Sequence, residues 1–175
     1  MLNKAIFLDR DGVINEEVNY LHKVDNFIFI NGIFEACQHY LKLDYKIIII
    51  TNQSGISRGY YSIKDYQNLT KWMLNQFENK GISILDTFYC SHLPESNCSC
   101  RKPKPGMFIT AKNKYDIDMA QSWMIGDRET DSEAANAAGI DNTILLKSGY
   151  QVDNSHSHSK FTIDSLEESK FIITS

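Results

Sequence analysis

AIFLDRDGVIN, residues Ala5–Asn15, decides the fold. Four apolar residues, Ala5 to Leu8, give way abruptly to Asp9-Arg10-Asp11-Gly12, the pattern of a buried strand that delivers polar groups at its carboxyl end. Lys46–Ile50 repeats the design, an aliphatic run that breaks into Thr51-Asn52-Gln53-Ser54-Gly55. Ile84–Tyr89 reads as a third strand before a cysteine-bearing loop. Ser122–Ile125 reads as a fourth, entering Gly126-Asp127-Arg128-Glu129-Thr130-Asp131, and Asn142–Leu146 as a fifth. Runs apolar at every position suit strands covered on both faces.

Helical patterns fill the gaps between these runs. Asn31 is placed to cap a helix carrying Ile33, Phe34, Cys37 and Leu41. Ser62 with Asp65 resembles a capping box, and Tyr66, Leu69, Trp72, Met73 and Phe77 then recur at helical spacing up to Gly81. Pro105-Gly106 opens a helix through about Tyr115, and an alanine-rich helix from about Asp131 to Ala138 stops at Gly139. The alternation predicts an α/β chain with a doubly wound parallel sheet, whose ligands bind beyond the carboxyl ends of the strands. Residues 18–29 lack a helical period and Asn26–Ile30 looks extended, which predicts a small flap over that edge and no large cap domain. Residues 151–159, QVDNSHSHS, read as a polar surface loop with His156 and His158 in a flexible turn, followed by a last strand and a short helix. With neither internal repeat nor linker, residues 1–175 read as one domain.

Composition bounds the partners. Among 175 residues, 18 Lys plus Arg stand against 22 Asp plus Glu, a net charge of −4 that lacks the electrostatic footprint of a nucleic-acid binder. Ile47–Ile50, the longest purely aliphatic run, is far short of the roughly 20 apolar residues of a membrane helix, so no membrane partner is expected. The start shows no signal peptide, which predicts a cytoplasmic protein. Cys90, Cys98 and Cys100 crowd together near His92, and in a reducing compartment that clustering points to a metal before a disulfide.

The polar tips carry the candidate chemistry. Asp9 and Asp11 lie two apart, so a regular strand would project both carboxylates to one face, where they must bind a cation or share a proton. A solvated turn would also use Asp and Gly there. Thr51 opens TNQSG, a hydroxyl followed by backbone N–H groups near a possible helix start, the arrangement that cradles a phosphoryl group; alone it would read as a cap. Lys102 lies in Arg101-Lys102-Pro103-Lys104-Pro105, whose prolines stiffen the backbone. Asp127 and Asp131, four apart, could equally cap the alanine-rich helix. Cys90-x-His92 and Cys98-x-Cys100 offer the four ligands of a closed tetrahedral zinc site, which would fold a loop and fix Arg101 and Lys102 behind it.

The joint order of DxDG, a Thr after the second strand, a Lys, and GDxxxD resembles the haloacid dehalogenase (HAD) superfamily of aspartate-nucleophile phosphatases. AIFLDRDGVIN, TNQSGISRG, the CxH and CxC pairs and CRKPKPGM further resemble its zinc-containing heptose bisphosphate phosphatase branch, related to histidinol-phosphate phosphatases, over about Lys4 to Leu146. The resemblance implies that Asp9 is the nucleophile, Asp11 the general acid and base, and Thr51 and Lys102 the groups that stabilise the phosphoryl. It implies Mg²⁺ held by the Asp9 carboxylate, the Asp11 backbone carbonyl and Asp127, with Asp131 assisting, and structural Zn²⁺ on Cys90, His92, Cys98 and Cys100. Implied substrate-binding positions are Glu17, Val18, Asn19, Tyr20, Thr51, Asn52, Gln53, Ser54, Arg101, Lys102 and Arg128.

Arg101 suits a second phosphate, which favours a small-molecule sugar bisphosphate and, within the family, removal of the 7-phosphate of a heptose 1,7-bisphosphate in nucleotide-activated heptose synthesis. The five residues between His92 and Cys98 resemble the histidinol-phosphate relatives, the alternative substrate reading. Receiver-type signalling modules also gather an Asp, a Thr and a Lys around Mg²⁺, but their phosphorylated Asp lies on a middle strand, whereas this chain opens with its DxD. Relatives suggest a monomer.

Overall fold

The computed structural model describes residues 2–147 and 157–174. Strands β1 (Ala5–Leu8), β2 (Lys46–Asn52), β3 (Asp86–Cys90), β4 (Trp123–Gly126), β5 (Asn142–Leu146) and β6 (Phe161–Ile163) form one six-stranded sheet in the order β3-β2-β1-β4-β5-β6. Every neighbouring pair is parallel. Helices α1 (Ile33–Lys42), α2 (Ile63–Glu78), α3 (Gly106–Tyr115), α4 (Glu129–Ala137) and α5 (Leu166–Ile172) complete the doubly wound α/β architecture expected from the apolar runs.

Side-chain alternation explains why those runs are continuous. In β1, Ile6 and Leu8 join one core with Ile47 and Ile49 of β2 and the buried residues of α1, α2 and α5. Ala5 and Phe7 join the opposite core with Ile48, Ile50, Met124 and the buried faces of α3 and α4. A strand with a core on each side has no polar face to present. Burying such a side chain contributes about 1.5–3 kcal/mol, so a charge in the middle of β1 or β2 would cost several times that.

Several element ends differ from the sequence expectation for physical reasons. β2 runs two residues past Ile50 because Thr51 and Asn52 still pair with Tyr89 and Cys90 of β3. Asn31 does not cap α1; Gly32, at φ 85°, occupies the cap position with no side-chain hydrogen bond. The Ser62–Asp65 capping box is present, with Asp65 N donating to Ser62 Oγ and Ser62 N to Asp65 Oδ2. α4 begins at Glu129, two residues early, because the Asp131 carboxylate accepts from the backbone of Arg128 and Asp127 ahead of it. Segment 28–30 is extended, Glu16 N donating to Ile28 O and Ile30 N to Ile14 O, but Val24–Asn26 forms a 3₁₀ turn. The polar stretch 151–156, with His156, lies outside the described residues.

The sheet order reverses about β1, whose neighbours β2 and β4 lie on either side. Such a switch point leaves a crevice beyond the carboxyl ends of the strands. Asp9 follows β1, Thr51 and Asn52 end β2, and Asp127 follows β4.

Candidate active site at the switch point

A crevice of about 380 Å³ opens there, and Asp9, Asp11, Thr51, Lys102 and Asp131 all line it. Asp9 leaves β1 with its backbone held to β4, Asp9 N donating to Ile125 O at 3.0 Å. Asp9 is buried. Burial is the largest influence on Asp9 and holds its pKa well above the ordinary carboxylate value; Asp131 and Asp127 push the same way, and Lys102 opposes them.

Lys102 is the hub. Its ammonium donates to Asp9 Oδ1 at 2.8 Å and to Ile50 O at 2.9 Å, and pairs with Asp131 Oδ1 at 2.7 Å. Three contacts use all three donors of an ammonium. Burial alone would lower the Lys102 pKa, but the Asp131 and Asp9 carboxylates raise it above its ordinary value, so it is a fixed cation. Its backbone is set by a reciprocal amide clamp: Lys102 N donates to Asn52 Oδ1 and Asn52 Nδ2 to Lys102 O, both at 3.1 Å.

Asp131 serves both readings of the sequence at once. One carboxylate oxygen caps α4 and the other pairs with Lys102. A Cβ on Gly126 would fall 2.3 Å from Asp131 Oδ2, and one on Gly12 would fall 2.1 Å from Asp127 Oδ2. Glycine is required at both positions to let the acidic groups approach the backbone, and Gly12 also sits at φ +87°.

Asp9, Asp127 and Asp131 place ligand oxygens within 4.8 Å of one another. Three buried carboxylates facing one ammonium leave excess negative charge, and hard oxygen donors in that setting fit a divalent cation such as Mg²⁺. The Asp11 carboxylate, which strand alternation placed on one face with Asp9, is not part of this cluster. β1 ends at Leu8, so the side-by-side projection of a regular strand does not reach residue 11. The Asp11 carboxylate turns to Arg10, whose Nε and Nη2 each donate at 3.0 Å, and to Asn15 Nδ2 and Gln53 Nε2, also at 3.0 Å.

Of the other expected substrate positions, Glu17, Asn19, Tyr20, Asn52, Gln53, Ser54, Arg101 and Arg128 line the crevice. Val18 does not; it is 37% exposed in a turn whose carbonyl accepts from Leu21 N. Residues 18–20 begin the flap, and just before it Glu17 Oε2 lies 3.3 Å from Arg128 Nη2, joining the entry of that flap to the start of α4. Burial raises the Glu17 pKa, Asp11 adds to the effect, and Arg128 opposes it.

Three lining or supporting residues escaped the sequence reading. Arg10, 1% exposed, sits inside the DxD motif. Arg58 and Tyr61 line the crevice from the loop after TNQSG. The phrase TNQSGISRG contained the signal for Arg58; nothing local marks Tyr61 apart from other aromatic residues.

Beside the crevice, Cys90, His92, Cys98 and Cys100 also place ligand atoms within 4.8 Å of one another. Cys90 Sγ lies 3.1 Å from Cys100 Sγ and 3.7 Å from Cys98 Sγ, and His92 Nδ1 lies 3.3 Å from Cys100 Sγ. Zinc–sulfur bonds of about 2.3 Å in a tetrahedron put sulfurs roughly 3.7 Å apart, so this donor set fits Zn²⁺ with no position left open. None of the four cysteines, the distant Cys37 included, is in a disulfide. Arg101 follows the last ligand and donates from Nη1 to His92 O at 3.4 Å, tying the guanidinium to the loop. Among the described residues no helix is long and apolar enough to cross a membrane.

Comparison with known proteins agrees with this geometry. A HAD-hydrolase-like family model matches residues 99–169. The chain is 45% identical to the D-glycero-alpha-D-manno-heptose-1,7-bisphosphate 7-phosphatase of Photorhabdus laumondii, covering 94% of this chain and 97% of that one. It is 46% identical to the D-glycero-beta-D-manno-heptose-1,7-bisphosphate 7-phosphatase of Helicobacter pylori, covering 82% and 84%. Among solved structures, the D,D-heptose 1,7-bisphosphate phosphatase of B. bronchiseptica, complexed with magnesium and phosphate, superposes with a TM-score of 0.87 at 29% identity, over 97% of each chain. The chain belongs to the heptose-1,7-bisphosphate 7-phosphatase family of HAD-fold phosphoric monoester hydrolases.

Proposed function

We propose that this chain removes the 7-phosphate of D-glycero-D-manno-heptose 1,7-bisphosphate in nucleotide-activated heptose biosynthesis. The observation that carries this reading is the buried Asp9–Lys102–Asp131 constellation at the sheet's switch point, opening into a crevice that Arg58, Arg101 and Arg128 also line. One end is built for phosphoryl transfer and the arginines suit a second phosphate.

In this reading an Asp9 carboxylate oxygen attacks phosphorus, and the bond from phosphorus to the C7 oxygen breaks. Asp11 gives that oxygen its proton, and the product keeps its 1-phosphate. Water, deprotonated by Asp11, then attacks the aspartyl phosphate; the bond from phosphorus to Asp9 breaks and inorganic phosphate leaves. Lys102 and the Thr51 hydroxyl neutralise phosphoryl oxygens through both steps. Asp9, Asp127 and the Asp11 carbonyl, with Asp131 in support, would hold Mg²⁺, which would supply positive charge to offset the crowded anions. Cys90, His92, Cys98 and Cys100 would hold Zn²⁺, which would fix the loop that presents Arg101 and Lys102.

Arg101 and Arg128 bind the distal phosphate, and Glu17, Asn19, Tyr20, Asn52, Gln53 and Ser54 contact the sugar. The working unit in this reading is a single-domain monomer, placed in the cytoplasm where nucleotide-sugar precursors are made. Relatives at nearly equal identity carry both anomers in their names, so overall similarity does not select between them. The test is Mg²⁺-dependent phosphate release from the two heptose 1,7-bisphosphate anomers, fructose 1,6-bisphosphate and histidinol phosphate. A heptose anomer should give the highest kcat/KM; preference for histidinol phosphate would replace the substrate reading.

A further inference from the structure

Tyr61 lines the crevice without a role in the scheme above. It is 6% exposed, and its hydroxyl donates to Gln53 Oε1 at 2.5 Å. That bond fixes which way the Gln53 amide faces. Gln53 Nε2 then donates one hydrogen to Thr51 Oγ1 at 2.9 Å and the other to Asp11 Oδ2 at 3.0 Å. The three hydrogen bonds run in one direction, from phenol to amide to hydroxyl and carboxylate.

We propose that Tyr61 is a positioning residue, which through Gln53 fills an acceptor site on the Thr51 hydroxyl so that the hydroxyl proton is turned toward the transferring phosphoryl group. A flipped amide would set its carbonyl against the Asp11 carboxylate and the Thr51 oxygen, with nothing to accept the tyrosine proton. Asp11 has Arg10 and Asn15 as further donors, whereas Gln53 is the side-chain donor that reaches Thr51 Oγ1, so Thr51 feels the loss most.

The surroundings hold the ring in place. A Cβ on Gly55 would fall 2.2 Å from Tyr61 Cε1, so the glycine of TNQSG makes room for it. His22 of the flap stacks on the ring at 5.2 Å and 12°. Burial pushes the Tyr61 phenol up to about 12, which keeps it a proton donor at any working pH.

The inference rests on Thr51 and Asp11 acting as proposed above. Kinetics of wild type, Tyr61→Phe, Gln53→Leu and the double variant on heptose 1,7-bisphosphate, with melting curves, test it. Tyr61→Phe keeps every ring contact; kcat should fall about tenfold with KM within twofold. On the Gln53→Leu background the same change should have almost no further effect, since both remove one relay. Gln53→Glu, which keeps an acceptor for Tyr61 and loses both N–H donors, should lose at least as much as Tyr61→Phe. Wild-type kcat in Tyr61→Phe or in Gln53→Glu, or losses that multiply in the double variant, would overturn the proposal. Asp9→Asn is assayed alongside: turnover there would defeat the phosphatase scheme itself, while an inactive Asp9→Asn beside a fully active Tyr61→Phe would defeat the relay alone.

Discussion

Replacing Lys102 with methionine keeps the volume of the side chain and removes its charge. In the native protein the ammonium lies 2.8 Å from Asp9 and 2.7 Å from Asp131, and the three side chains are 2%, 11% and 2% exposed. Removing one member of a buried pair costs about 3–5 kcal/mol, because the remaining charge is neither solvated nor matched. For a domain of this size that is a fall in Tm of about 6–20 °C, a large part of a typical 5–15 kcal/mol stability. The pH dependence has a definite sign. Asp9 already has a raised pKa in the folded state, so its ionised form destabilises the fold at pH values above the ordinary carboxylate range and not below it. Without Lys102 that penalty grows, and the gap in Tm between variant and wild type should be widest near neutral pH and close as pH falls toward 4. Mg²⁺ should narrow the neutral-pH gap by supplying the missing positive charge. Differential scanning calorimetry from pH 4 to pH 8, with and without Mg²⁺, reads all three. A loss under about 1 kcal/mol, or one independent of pH and Mg²⁺, would refute the electrostatic account of the cluster.

Further expectations follow from neighbouring geometry. Gly12→Ala places a methyl group 2.1 Å from Asp127 Oδ2 at φ +87°, costing about 1–2 kcal/mol in backbone strain and weakening Mg²⁺ activation about 10–100-fold, measured by titrating the metal against turnover. Metal analysis should find about one zinc per chain, and Cys98→Ser should lose it together with most of kcat while the circular-dichroism spectrum of the sheet and helices persists; full activity in a zinc-free variant would reject the loop assignment. Arg101→Ala should raise KM for the bisphosphate about 10–100-fold and leave KM for a sugar monophosphate nearly unchanged; equal effects on both would remove Arg101 from distal-phosphate binding.

Much of this was legible in the sequence because the fold is dictated by continuous apolar runs and the chemistry by the residues just after them. Ala5–Leu8 and Lys46–Ile50 read as doubly covered strands, and in a parallel sheet their polar tips meet at one edge. The clustering of Cys90, His92, Cys98 and Cys100 was legible because CxH and CxC pairs carry their spacing in the chain itself. What escaped were relations across the chain. Asp11 was expected beside Asp9 by strand alternation, but the strand ends at Leu8 and a turn carries Asp11 to Arg10. Asp131 was read as either a cap or a functional acid, and two oxygens on one carboxylate allow both. Tyr61 gave no signal because its meaning depends on Gly55, eight-residue-distant Gln53 and the flap residue His22 meeting in space. Asn31 misled because glycine in a left-handed conformation can begin a helix as readily as a capping side chain.

The central claim is that Asp9 accepts the phosphoryl group. Rapid acid quench during turnover of a ³²P-labelled bisphosphate, followed by proteolysis and mass analysis, tests it directly. The label should appear on the peptide containing Asp9, reach a steady level within the first turnover and vanish in Asp9→Asn together with phosphate release. Undiminished turnover in Asp9→Asn, with no label on any peptide of the wild-type protein, would contradict it.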